Sequence, residues 1–190
     1  RRGGKTDASG PDWTAQETIL VVDFGSQYSH LIARRVREAH VYCEIISHDT
    51  PWEDVNSLNV KGVILSGGPA SVYDEGAPMA PSWVYRNDLP ILGVCYGLQV
   101  LTYQLGGKVA PSVKREYGHA VLHQNTDKVL LFRELPQSIP VWMSHGDKIM
   151  TPPPGFTSLA YTDNSPIAAI GNDRNMFGIQ FHPEVVHTPQ

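Results

Sequence analysis

Four apolar runs of strand length divide the first half of the chain: TILVV (18–22), VYCEII (41–46), KGVILSGGP (61–69), which ends in a glycine loop, and LPILGVC (89–95). They are apolar almost throughout instead of alternating. A strand with no polar face has to be covered on both sides, the condition met in parallel sheets flanked by helices. Two helical segments alternate with them. In DFGSQYSHLIARRVREA (23–39), Tyr28, Leu31, Ile32, Arg35 and Val36 recur at helical spacing. In GLQVLTYQLGG (97–107), Leu98, Leu101 and Leu105 fall in line, and Gly106-Gly107 forms a stop. The second half reads differently. AVLH (120–123), KVLLF (128–132), PVWMS (140–144), SLAYT (158–162), IAAIG (167–171) and MFGIQF (176–181) are short runs between turns, suited to antiparallel or edge strands. The expected fold is α/β: an open, mostly parallel sheet with helices on both faces and additional antiparallel strands in the C-terminal half.

At 190 residues the chain is long enough for one such domain with a sizeable core. No repeat or linker divides it. Residues 1–16 read as a polar tail, leaving 17–190 as the folded domain. The net charge of −4 offers no general attraction to nucleic acid or anionic membranes. No apolar run approaches the length of a membrane span. The two cysteines, Cys43 and Cys95, form no CxxC pair and imply a reducing compartment, the cytoplasm.

Cys95 sits in G-x-C-x-G (93–97), where the fourth strand gives way to a helix. A sharp strand-to-helix turn needs glycines because neighbouring side chains would collide there, and it lifts the central side chain above the carboxyl end of the sheet. The helix start directs its dipole and free N–H groups at the sulfur, favouring the thiolate. The bland alternative is a small buried hydrophobe. A nucleophile needs a base, and the base an orienting partner. FGIQFHPE (177–184) offers both: His182 at a strand end, and Glu184 two residues on, on the same side of an extended segment.

SGGP (66–69) closes the third strand. Its glycines admit backbone N–H groups close to a substrate, and the N–H groups of Gly68 and Tyr96 are the candidate oxyanion hole. A phosphate loop is the rival reading, since SGGPAS is near the SGGxDS pattern but has Ala70 in place of Asp. His119 and His123 lie four apart in a strand-like stretch without a nearby acidic ligand, which argues against a metal site. His145 reads as part of a polar turn. Arg34, Arg35 and Arg37 form a charged helix face, solvated or turned to a partner.

Glycine loop, cysteine elbow and HPE, in this order, resemble the class I (triad) glutamine amidotransferases. DFGSQYSHLIARRVRE, SGGPASVY, GVCYGLQ, KREYG, WMSHGDK and FGIQFHPEVVHTPQ resemble, within that family, the branch that forms GMP. The resemblance implies a flavodoxin-like sheet with Cys95, His182 and Glu184 as the triad that hydrolyses L-glutamine. It also implies Gln99, Ser144 and His145 as contacts to the substrate, with no metal or cofactor in this domain. The partner it implies is a GMP synthetase (ATP-pyrophosphatase) domain or subunit that uses Mg-ATP to aminate XMP, expected beyond the present chain. The arginine helix and first strand are expected to form part of the docking face. Two other classes share some of these features: a cysteine peptidase on a similar scaffold, and a non-catalytic module that only docks on a synthetase.

Overall fold

The computed structural model describes residues 16–125, 130–185 and 188, apart from the side chains of 113 and 114. The tail reading for 1–16 therefore lies, except for Gln16, outside the described residues. The elements run β1 (Glu17–Asp23), α1 (Ser29–Glu38), β2 (Tyr42–Ser47), β3 (Asn59–Leu65), β4 (Ile91–Val94), α2 (Tyr96–Gln104), β5 (Lys108–Gln124), β6 (Ser138–Thr151), β7 (Thr157–Tyr161), β8 (Ala169–Gly171) and β9 (Met176–Ile179). They form one sheet in the order β2-β1-β3-β4-β9-β8-β7-β5-β6. β2, β1, β3, β4 and β9 are mutually parallel, whereas β8, β7, β5 and β6 pair antiparallel. β9 is the seam, parallel to β4 on one side and antiparallel to β8 on the other.

The apolar strands bury both faces, as their composition requires. In β1, Leu20 and Val22 pack on one side with Leu98, Val100 and Leu101 of α2. Val21 packs on the other with Ile32 and Ala33 of α1. The long connections after β2 and β3 add Val55, Trp83 and Val84 to the α2 face through single 3-10 turns (Trp52–Asp54 and Ser82–Tyr85).

Several sequence readings are corrected. The first helix begins at Ser29, not at 23. Asp23 Oδ1 accepts hydrogen bonds from the Gly25 N–H and the Ser29 hydroxyl (both 2.9 Å), and Gly25 takes a positive φ of 92°, so DFGSQY is a structured loop before the helix. KVLLF is not a strand over its described part. Leu130–Phe132 is a 3-10 turn that buries Phe132 and leaves Leu130 exposed. AVLH is only the end of a 17-residue strand, β5, whose polar KREYGH portion hid it from a search for apolar runs. The "polar turn" at His145 is the interior of β6: Glu116 pairs with His145 across the β5–β6 ladder, and the polar side chains are satisfied there by one another.

The elbow is built as the glycines demand. A Cβ on Gly93 would stand 2.7 Å from the Gly97 carbonyl oxygen, and one on Gly97 would stand 2.0 Å from the Leu65 carbonyl oxygen. The first turn of α2 thus presses on the backbones of β3 and β4, and no relaxation of a side chain makes room. Gly97→Ala is expected to destabilise the fold by about 3 kcal/mol or more. A denaturant titration measures it, and an unchanged midpoint would contradict this packing.

Candidate active site

Cys95 occupies the turn between β4 and α2 at φ 54° and ψ −108°. A non-glycine residue at such angles is strained by about 1–3 kcal/mol, and the strain is sustained by its surroundings. Its N–H donates to the Ile179 carbonyl of β9 (2.8 Å), which extends the β4–β9 ladder to Cys95. Cys95 is 6% exposed. Its S–H faces the Ser144 carbonyl of β6 at 3.4 Å.

His182 follows β9 and stands beside Cys95, close enough for the two groups to interact electrostatically. Its Nδ1 bonds Glu184 Oε1 at 2.7 Å, which leaves Nε2 for the sulfur. The pair is 4% and 2% exposed. The chain bends at 180–181 and turns at 183–184, so the carboxylate reaches the ring through a turn and not along an extended segment. Burial pushes the His182 pKa down, but hydrogen bonds and charge from Cys95 and Glu184 outweigh it and lift the ring to about 10. An imidazolium is therefore the resting form at neutral pH. Glu184 Oε2 meets no hydrogen-bond donor among the described residues, so His182 is the carboxylate's chief compensation. The Tyr28 ring packs against His182 at 5.3 Å between centroids. Arg35 Nε donates to the Glu184 carbonyl (3.2 Å), tying α1 to the backbone beside His182. Arg34 pairs with exposed Glu38, and Arg37 donates to the Cys43 carbonyl.

These groups open on a cleft of about 600 Å³. The structure brings Cys95, His182, Gly68, Tyr96, Gln99, Ser144 and His145 to its wall, while Glu184 stands behind His182. Tyr96 is the first residue of α2, so its N–H has no intrahelical acceptor. Gly68 lies against it: a Cβ there would be 3.2 Å from the Tyr96 ring and 2.9 Å from the Phe24 carbonyl oxygen. Gln99 is 4% exposed and donates weakly to the Asp147 carbonyl (3.5 Å).

His145 is engaged on both ring nitrogens. Nδ1 meets the Asp147 carbonyl at 2.6 Å, and Nε2 meets Glu116 Oε2 at 3.0 Å. Glu116 is buried and also accepts from Ser165 (2.7 Å) and Thr162 (2.9 Å). Burial pushes its pKa up, but these donors and the His145 charge hold it below the ordinary carboxylate value. His145 thus braces the β6 wall beside Ser144. Motif reading missed Glu116, together with the cleft residues Ser26, Tyr28 and Arg115. The signal for Glu116 lay in strand register, which a single sequence does not expose. His119 packs edge-on to Trp142, and His123 bonds Ser138. Among the described residues no three His, Cys, Asp or Glu side chains gather as metal ligands. Nor is any described helix long and apolar enough to cross a membrane.

Comparison with known proteins agrees with this geometry. The glutamine amidotransferase class-I family matches residues 20–190. A GMP synthase [glutamine-hydrolyzing] of Dehalococcoides mccartyi is 58% identical over 178 residues, covering 94% of this chain and 33% of that protein. One from Aquifex aeolicus is 56% identical over 171 residues, covering 90% and 33%. The chain thus spans about a third of the length of these curated relatives. Among solved structures, a protein assigned as one subunit of a GMP synthase from Thermoplasma acidophilum superposes with a TM-score of 0.82 at 30% identity, covering 92% of this chain and 87% of that one. A glutamine amidotransferase from Thermotoga maritima shares the fold at a TM-score of 0.71 and 22% identity, covering 90% and 77%. The chain belongs to the class I glutamine amidotransferase family.

Proposed function

We propose that this chain is the glutaminase component of a GMP synthase, releasing ammonia from L-glutamine. The observation that carries the proposal is His182, hydrogen-bonded to Glu184 and sharing the wall of the cleft with Cys95, whose electrostatic influence it feels. Arg115, Asp74 and Asp147 also line it, charges of both signs that suit a zwitterionic amino acid.

In the proposed reaction, the Cys95 thiolate attacks the amide carbon, and the carbonyl electrons move to oxygen. The N–H groups of Gly68 and Tyr96 donate to that oxyanion. His182 gives its proton to the departing nitrogen, the C–N bond breaks, and ammonia leaves. The neutral imidazole then takes a proton from water, whose hydroxide attacks the thioester. The C–S bond breaks with its electron pair returning to sulfur, and glutamate is released. Gln99 and Ser144 contact the substrate, and His145 acts from behind through the backbone it holds. The ammonia passes to a GMP synthetase (ATP-pyrophosphatase) domain or subunit, which requires Mg-ATP and XMP; this domain itself needs no cofactor or metal. The names of the relatives and their threefold greater length support this assignment. Two free, buried cysteines support a cytoplasmic setting for the reaction.

The test is glutamate production from glutamine by the purified chain, alone and with a GMP-forming synthetase supplied with XMP and ATP. The expected result is slow hydrolysis alone and at least about tenfold stimulation by the loaded partner, through ordering of the cleft. No glutamate under either condition overturns the reading. Cleavage of peptides without action on glutamine replaces it with a peptidase.

A further inference from the structure

The sulfur of Cys95 has a third polar neighbour that the triad does not include. Gln180, just past β9 and 1% exposed, directs its side-chain Nε2 at Cys95 Sγ at 3.6 Å. Its backbone is fixed as well, the N–H donating to the Ala168 carbonyl at 2.8 Å. The other end of the amide, Oε1, is buried and meets no hydrogen-bond donor among the described residues. A buried amide carbonyl without a donor is costly, and turning the amide over would help only if the Cys95 S–H left the Ser144 carbonyl for it. It would set a carbonyl oxygen against the sulfur's lone pairs. Next to an anionic sulfur only the N–H₂ end is attractive.

We propose that Gln180 is a catalytic residue that donates an amide N–H to the Cys95 sulfur and supports it whenever it carries negative charge. The other groups about the sulfur leave a place for such a donor. The Ser144 carbonyl, 3.4 Å from the sulfur, accepts from the thiol but repels the thiolate. His182 offers the sulfur a single proton and surrenders it to the leaving nitrogen during the reaction. When the thioester is hydrolysed, the C–S electron pair returns to sulfur while His182 holds the proton it took from water. The Gln180 N–H is present at every stage and titrates at none. It also sits two residues before His182, on the segment that continues β9, the strand paired with β4 in the sheet.

The role in thioester hydrolysis rests on the glutaminase reading, whereas the contact with sulfur does not, and the experiment separates them. Gln180→Met keeps the length of the side chain, removes the donor and removes the orphaned carbonyl. Gln180→Glu keeps the shape and replaces the donor with oxygen. Alkylation of Cys95 by iodoacetamide at neutral pH is followed by mass spectrometry, alongside thermal melting and glutamine hydrolysis. Gln180→Met is expected to melt at or above the wild-type temperature, since a buried unpaired oxygen is gone, yet to alkylate about tenfold more slowly, because losing a donor to a charged acceptor costs more thiolate than it returns in nucleophilicity. Gln180→Glu is expected to be slower still. A space-filling role predicts the opposite for Gln180→Met, with wild-type reactivity in the better-packed variant. Alkylation of folded Gln180→Met at the wild-type rate overturns the proposal. If that variant does not fold, wild-type alkylation in Gln180→Glu does so instead. Slowed alkylation in a protein that never hydrolyses glutamine, even with the synthetase present, retains the Gln180 contact and overturns only the glutaminase reading.

Discussion

Cys95→Ala is expected to lower ammonia release from glutamine by about 10³-fold or more, because no other described side chain in the cleft is placed to form the acyl intermediate with His182. The melting temperature should change little. The backbone at φ 54° is held by the Cys95 N–H bond to Ile179 and by the packing of Gly93 and Gly97, none of which involves the sulfur. Glutamate formation and thermal melting on the same preparation test both halves. Activity surviving in a folded alanine variant removes Cys95 from the mechanism. Cys43 offers no substitute: it lies in the core against α1, with its S–H directed at the Ala33 carbonyl.

His182 carries the second large effect. His182→Asn removes the proton donor and is expected to lower turnover by about 10²–10⁴-fold. The wild-type pH profile tests the same residue without substitution. The ring's pKa rises from 6.5 in the unfolded chain to about 10 in the folded one, so the protonated form is favoured by folding. The stability this pairing contributes is fully present below about pH 6.5 and is lost as the pH climbs through about 10. On the activity side, the alkaline limb of kcat/KM for glutamine is expected to fall near pH 10. A limb centred near 6.5 would mean that Cys95 and Glu184 do not hold the ring as the structure has it.

The parts of this site that could be read directly from the sequence are those built from neighbouring residues. The elbow is legible because its two glycines are demanded by contacts within one strand–turn–helix unit. His182 and Glu184 are legible because they stand two positions apart, with one residue between them, although the turn at Pro183 supplies the reach by a different route from the one spacing suggests. The Glu116–His145 brace was not legible. Its members stand 29 positions apart and meet only through the register of β5 on β6, with a bulge between Pro111 and Glu116 shifting that register. The same bulge, with the polar stretch around it, concealed most of β5. The parallel half of the sheet announced itself because strands buried on both faces tolerate little but apolar residues. The antiparallel half showed only through its short apolar runs in β5 to β8, and the polar lengths of β5 and β6 stayed hidden because one polar face makes a strand resemble a loop.

The seam strand has a consequence for how this enzyme family can vary. β4 and β9 are hydrogen-bonded neighbours, with Gly93 opposite Gly178 and Val94 opposite Ile179, and the next rung joins Cys95 to Ile179. The segment that carries His182 thus leaves the sheet one strand spacing, roughly 4.8 Å, from the turn that carries Cys95, with His182 three residues further on. That rung is a ruler cut into the core, and the bend at 180–181, tied to β6 by the His182 N–H bond to the Trp142 carbonyl, supplies the rest of the reach. The loops Gly25–Gln27 and Gly68–Ala70 line the same cleft without belonging to that strand pair, so they are the part of its wall that a change of sequence can redraw while β4 and β9 stay paired.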